Sequence, residues 1–424
     1  MSEVLANPAT DVAASARTAR PELVGFVTDN DSMAALRGGL AEAGPPDFEL
    51  RRADVNAAIA ILRKTPTPKT LIIDISGEEQ PLTALDRLSE VVEPDVRVLL
   101  IGDRDEVNFY RQVTRGLGIL EYLPKPLQRD TVARLFGPLL RSRTPVAQAV
   151  NGGRVVTVTG VRGGVGASTL ACNLAWYFGV ESARHTVLMD ADLHRGDCAM
   201  LLGVVAGSGL RSALETPQRI DELFVERTAQ AVRDRLFILA AEEKLADQPG
   251  YADGAADRLL QELRRRYNFA VIDLPFSSQP MHRDMLTLAH HRILVLEPTL
   301  ACVRDTLRLM ALPNGPMQPR GAVLVVNRLG RRGSLTLAQV EDALKVKVDL
   351  AVPDLARAIG HAATAGTPAM TLRGPFRDAI LQLGREITVL RPPATAAATP
   401  GASRGKRGLF GRARPASALA VSPA

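Results

Sequence analysis

Aromatic residues make up only 4% of this 424-residue chain, and tryptophan occurs once. With 46% of positions hydrophobic, the cores must be packed by aliphatic side chains. Cysteine is scarce too: Cys172, Cys198 and Cys302 are scattered without metal-ligand spacing. That excludes a disulfide framework and fits a reducing, cytoplasmic setting. No apolar run approaches the length that spans a bilayer. The first twenty residues lack the apolar core of a signal peptide and read as a disordered leader, residues 1–20.

A broad excess of positive charge is also missing. The net charge of +6 comes from the last stretch, where Arg391, Arg404, Lys406, Arg407, Arg412 and Arg414 face no acidic residue. Residues 1 to 390 carry 46 basic and 46 acidic side chains. A neutral body argues against a DNA-coating surface.

Two series of short apolar runs are present, each run separated from the next by a helix-length segment. The first comprises "LVGFV" (23–27), "TLIID" (70–74), "VRVLLIG" (96–102) and "GILEYL" (118–123). The second comprises "RVVTVTG" (154–160), "TVLMD" (186–190), "RLFILA" (235–240), "FAVID" (269–273), "RILVLE" (292–297) and "GAVLVVN" (321–327). Buried strands alternating with helices predict two α/β units with parallel sheets covered on both faces. A polar stretch with Pro and Gly predicts a linker over 142–153 between units at 21–141 and 154–390. The Pro/Ala/Thr-rich remainder, 391–424, reads as a flexible basic tail.

The second series opens on "GVRGGVGASTL", residues 160–170. A phosphate loop reads G-x-x-x-x-G-K-[ST]. Here Gly166, Ala167 and Ser168 occupy the last three places, so alanine stands where lysine would. Strand, Gly-rich turn and helix still form a phosphate cradle: Gly163, Gly164 and Gly166 let the backbone approach an anion, and Ser168 offers a hydroxyl to magnesium. The loop alone fits a ligand-free turn equally well. Asp190, Asp192 and Asp273 end or follow strands, however, and in a parallel sheet those ends share one edge with the loop.

Taken in order, "RGGVGAST", "DADLHRGD", "VIDLP", "VVNR" and "VPDLARAIGHAATAGTPA" resemble the ParA/MinD group of deviant-Walker ATPases. Within that group the chain looks like the CpaE/TadZ proteins of tight-adherence (Flp-type) pilus assembly. The resemblance covers about residues 20 to 390. It implies a P-loop NTPase unit with a mostly parallel sheet, binding ATP and Mg2+ as an ATP-dependent homodimer, with pilus-assembly proteins at the inner membrane or a cell pole as partners. By position, Arg162 matches the signature lysine that crosses to the partner's phosphates, and Asp192 the residue that places the attacking water. Gly163, Gly164, Val165, Gly166, Ala167, Ser168 and Thr169 form the loop. Ser168, Asp190 and Asp273 form the magnesium set, and Asn327, Arg328, Pro353 and Asp354 surround the adenine. Losing the loop lysine removes a charged hydrogen bond, about 1.5–3 kcal/mol of binding. In the transition state the loss is about a hundredfold to a thousandfold in rate. The expectation is a nucleotide-gated dimer that hydrolyses ATP slowly or not at all.

The first unit resembles the receiver (flavodoxin-like) domain of response regulators. Asp74 ends "TLIID" where a receiver carries its phosphoacceptor, Lys125 sits in "YLPKPL", and Asp29 follows the first strand. Thr28 occupies one of the two acid positions that phosphorylation chemistry needs, with Asp31 as the substitute, and Gly102 stands near the hydroxyl position. Docking is therefore expected over phosphorylation. In the tail, "RGKRGLFGRAR" brackets Leu409 and Phe410 with cations. A solvated tail is the first reading and weak contact with anionic lipid the second. The rival functions are an active positioning ATPase, a phosphorylated regulator and a scaffold that binds no nucleotide.

Overall fold

The computed structural model describes residues 20–41, 45, 48–117, 119–141, 152–318 and 321–388. The expected leader up to residue 19, most of the expected linker and the whole tail lie outside the described residues.

Five parallel strands form the first sheet: β1 (Leu23–Val27), β2 (Phe48–Arg52), β3 (Thr70–Asp74), β4 (Arg97–Gly102) and β5 (Glu121–Pro124). Their order, β2-β1-β3-β4-β5, is the flavodoxin-like doubly wound order. The alternation along each strand explains the two covered faces. Val24, Phe26, Leu71 and Ile73 pack against Val55–Leu62 and Pro81–Ser89. Leu23, Val27, Ile72 and Leu99 pack on the opposite side against Asn30–Leu40 and Arg129–Arg141.

The second sheet has eight strands: β6 (Arg154–Gly160), β7 (Thr186–Asp190), β8 (Gln230–Arg233), β9 (Leu236–Leu239), β10 (Phe269–Asp273), β11 (His291–Leu296), β12 (Val323–Leu329) and β13 (Leu350–Pro353). The order is β13-β12-β11-β6-β10-β7-β9-β8, and only β8 runs antiparallel to its neighbour. The α/β class and the parallel sheets stand as expected. Three strands escape a reading by apolar runs: β2 ("FELRR"), β8 ("QAVR") and β13 ("LAVP"). All three are edge strands, where one side meets solvent and polar or short sequences suffice.

The two sheets meet away from the loop. Arg235, just before β9, is 9% exposed and donates to the carbonyls of Val91 at 2.7 Å, Thr65 at 3.2 Å and Leu62. Asn268, just before β10, donates to Val92 at 2.9 Å and Ser89 at 3.2 Å. The acceptors lie at or just past the C-termini of helices Val55–Leu62 and Pro81–Ser89, where carbonyls lack intrahelical partners. A guanidinium and an amide from one unit thus cap two helices of the other. This contact sits at the strands' N-terminal ends and leaves the C-terminal ends clear.

Candidate functional site

β6 lies inside the sheet, between β11 and β10, and runs directly into the Gly-rich loop. Gly164 and Gly166 have φ of +82° and +92°, a left-handed backbone that favours glycine. A Cβ on Gly163 or Gly164 would meet nothing within 4 Å, so the loop's mouth is open. Helix Ala167–Trp176 begins immediately, aiming its first amides at that mouth. Its residues from Leu170 to Trp176 are all buried, which fixes the helix in the core. Ala167 is its first residue and contributes no charge.

Asp190 and Asp273 close their strands in register, side by side on β7 and β10. Both are nearly buried, at 1% and 6% exposure. Burial first, then the neighbouring Asp190, pushes the Asp273 carboxyl up to about 7, against hydrogen bonds from Ser168 and Cys198. Burial pushes Asp190 up to about 6, against the amides of Cys198 and Asp192. Those amides reach Asp190 at 3.0 and 3.1 Å.

Asp197 and Cys198 complete the cluster. Their side-chain ligand atoms and those of Asp190 and Asp273 all lie within 4.8 Å of one another. Cys198 Sγ donates to Asp273 Oδ2 at 3.4 Å. The loop folds back this tightly because residue 196 is glycine: a Cβ there would lie 2.4 Å from Asp190 Oδ2. Cys198, which its sequence spacing sets apart from any metal set, and Asp197, unflagged within "DADLHRGDC", are brought to the acids by the turn at Gly196. The local signal is Gly196, six residues past the strand-end Asp190, where the close return of the chain leaves no room for a Cβ. Asp192 stands apart, holding the turn by accepting the amides of His194 at 3.2 Å and Arg195 at 3.0 Å.

Arg162 is held by a residue the sequence did not flag. Its Nε donates to Asp305 Oδ2 at 2.6 Å, on helix Leu300–Met310. Asn327, two residues before the end of β12, is 5% exposed and donates from Nδ2 to the loop carbonyl of Val165 at 2.8 Å. Its Oδ1 accepts the Arg328 amide at 3.0 Å, so both ends of the side chain are engaged by backbone. One N–H and one oxygen lone pair remain beyond those bonds, and reading an adenine, as the resemblance implies, would use them. Arg328 has φ +58° and pairs with Glu297. Pro353 ends β13, and the Asp354 amide donates to the Leu329 carbonyl at 3.0 Å, which keeps this segment beside the end of β12. Thr169 lies within the first helical turn, its carbonyl accepting from Asn173 Nδ2 at 2.7 Å.

The first unit brings Asp29, Asp74 and Lys125 together. Lys125 Nζ sits 2.6 Å from Asp74 Oδ2 and 2.5 Å from Asp29 Oδ2, with Thr28 Oγ1 at 3.0 Å. Asp74 Oδ2 also accepts the Thr28 amide and hydroxyl at 2.9 and 2.6 Å. Oδ1 accepts the Ser76 amide and hydroxyl at 3.0 and 2.6 Å. Burial raises the Asp74 pKa, but the bonds from Lys125, Ser76 and Thr28 outweigh it and hold the carboxyl below its usual range. Both oxygens are saturated, and an ammonium group bridges the two acids.

Comparisons with known proteins agree with the second unit's architecture. No family model matches the chain. The septum site-determining protein MinD of Bacillus subtilis is 24% identical over 189 residues, 42% of this chain and 65% of that protein. The MinD of Synechocystis is 29% identical over 208 residues, 47% of this chain and 73% of that one. The chain thus covers slightly less than two thirds of the first of these relatives. The crystal structure of a ParA family ATPase from Chlorobium tepidum shares the fold, with a TM-score of 0.51 at 17% identity, over 56% of this chain and 99% of its own. Among the described residues, no helix is long and apolar enough to cross a membrane.

Proposed function

We propose that the eight-stranded unit is a MinD/ParA-type ATP-binding switch whose hydrolysis is slow or absent, and that the five-stranded unit is a receiver-like docking module. The observation that carries this reading is the combination at the ends of β6, β7 and β10: an open Gly-rich loop feeding a buried helix, beside two buried acids in register, with alanine at the lysine place.

The residues present fit a nucleotide with magnesium. The loop mouth at Gly163 and Gly164 has room for phosphates, and the crowding of Asp190 against Asp273 is the electrostatics of a site that a cation relieves. Ser168 and Asp273 would hold Mg2+, with Asp190 behind them, and the ion would supply positive charge to the phosphates. The amides from Gly163 to Thr169 bind and orient the phosphate oxygens. Arg162, a permanent cation on an exposed part of the loop, reaches a second copy's phosphates once released from Asp305. Asp192 orients water. Asn327 shapes the loop from below, while Arg328, Pro353 and Asp354 border the base.

The bridged Asp29–Lys125–Asp74 site supports docking over phosphorylation, because the ammonium fills the place a bound cation would take. A receiver-like unit ahead of a MinD/ParA-type unit supports assignment to tight-adherence pilus assembly, as a cytoplasmic factor at the inner membrane or a pole. The curated relatives, septum site-determining proteins by name, give partial support to a second reading, an active positioning ATPase. Measuring ATP turnover separates the two. Turnover at ordinary P-loop speed, abolished by Asp192→Ala, overturns the slow-switch reading. Binding without appreciable turnover supports it.

A further inference from the structure

A cavity of about 70 Å³ lies on one face of the eight-stranded sheet, lined by Thr159 of β6, Arg292 and Leu294 of β11, Leu286, Leu309 and Asn314. It has room for about five waters or a ligand of about six heavy atoms. Two features mark it as more than a packing defect. Thr159 is 1% exposed, and its hydroxyl has no hydrogen-bond partner among the described residues. Arg292 is 7% exposed, yet no carboxylate among the described residues pairs with it. Its Nε donates to the Leu286 carbonyl at 3.0 Å, and that carbonyl is shared with Gln318 at 2.9 Å. A guanidinium carries five N–H donors, so most of its capacity is left over. Burial alone pushes its pKa down, with no acid opposing. The Thr159 hydroxyl is sealed from solvent without a partner, which is costly, while the Arg292 Nη groups have no protein partner among the described residues and are not sealed, so they are free to meet a ligand entering the cavity.

We propose that this cavity binds a short aliphatic carboxylate. Its head would take the bidentate fork of Arg292 and the Thr159 hydroxyl, and its alkyl part would lie against Leu286, Leu294 and Leu309. The apolar wall selects against bare inorganic anions, and the guanidinium selects against neutral alcohols. Thr159 is one residue before Gly160, where the phosphate-loop strand ends, so the ligand would sit under the strand that carries the loop. The site is separate from the nucleotide crevice and stands whether or not the nucleotide reading does.

Calorimetry and thermal melting of the full chain with butyrate, 1-butanol and chloride test this. Saturable butyrate binding is expected, with a raised melting temperature and no comparable response to butanol or chloride. Arg292→Met should weaken binding about tenfold or more, and Thr159→Val by a few-fold. If Arg292→Met does not fold, Leu309→Phe, which fills the cavity, decides: loss of butyrate binding supports the site, and unchanged binding overturns it. No saturable binding in the unaltered protein, equal binding of butanol, or full affinity in a folded Arg292→Met protein also overturns it.

Discussion

Arg162 and Asp305 form an ion pair at 2.6 Å that ties the phosphate loop's exposed cation to helix Leu300–Met310. The pair is solvent-accessible on the arginine side, so its strength is modest and screened by salt. It must open before Arg162 can serve a second copy. Asp305→Ala should therefore leave the melting temperature nearly unchanged while promoting ATP-dependent dimerisation a few-fold. Light scattering across an ATP titration checks this, and Arg162→Ala should abolish the ATP-dependent dimer altogether.

Ala167 is the departure from a working phosphate loop. Ala167→Lys should raise ATP affinity by about 1.5–3 kcal/mol and hydrolysis by about a hundredfold to a thousandfold. A coupled phosphate-release assay reads the rate. No gain would mean that another group already does the lysine's work, or that the loop does not hold a triphosphate.

Asp29 should make the five-stranded unit sensitive to strong acid. Burial raises its pKa, but Lys125 and Ser32 outweigh burial and hold the carboxyl down to about 2, from 3.8. A folded-state pKa below the unfolded value stabilises above the unfolded value, and that stabilisation is lost as pH falls through the folded one. The loss should run from about pH 4 to about pH 2, followed by far-UV circular dichroism, and Lys125→Met should remove most of that pH dependence. The same substitution leaves Asp74 buried and short of a cation, a cost of about 3 kcal/mol. Acetyl phosphate should not label Asp74.

Arg235→Ala should loosen the two units from each other. It leaves the buried carbonyls of Val91, Leu62 and Thr65 without their donor, at a cost of about 1–3 kcal/mol. Hydrogen exchange should rise at the ends of helices Val55–Leu62 and Pro81–Ser89, with nucleotide binding unaffected because the loop lies at the other end of the strands.

Central strands were legible because burial on both faces forces continuous apolar runs: "LVGFV", "TLIID", "TVLMD" and "FAVID" coincide with β1, β3, β7 and β10. Edge strands such as "FELRR" carry no such constraint and were missed. The placement of the Gly-rich turn before a helix, and of Asp190 and Asp273 at strand ends, is legible from motif and position. Asp197, Cys198 and Asp305 were not, because their roles arise from chain return and helix placement, which only tertiary contact reveals. Arg235 and Asn268 were also hidden, since capping another unit's helices leaves no local pattern.

On the proposed function, main-chain amides and an acid-held cation grip ATP without the loop lysine. Isothermal titration of the full chain with ATP and Mg2+, repeated on Ser168→Ala, tests it most directly. Saturable, magnesium-dependent binding that falls in Ser168→Ala is the predicted result. The absence of any binding heat from a folded unaltered chain would contradict it.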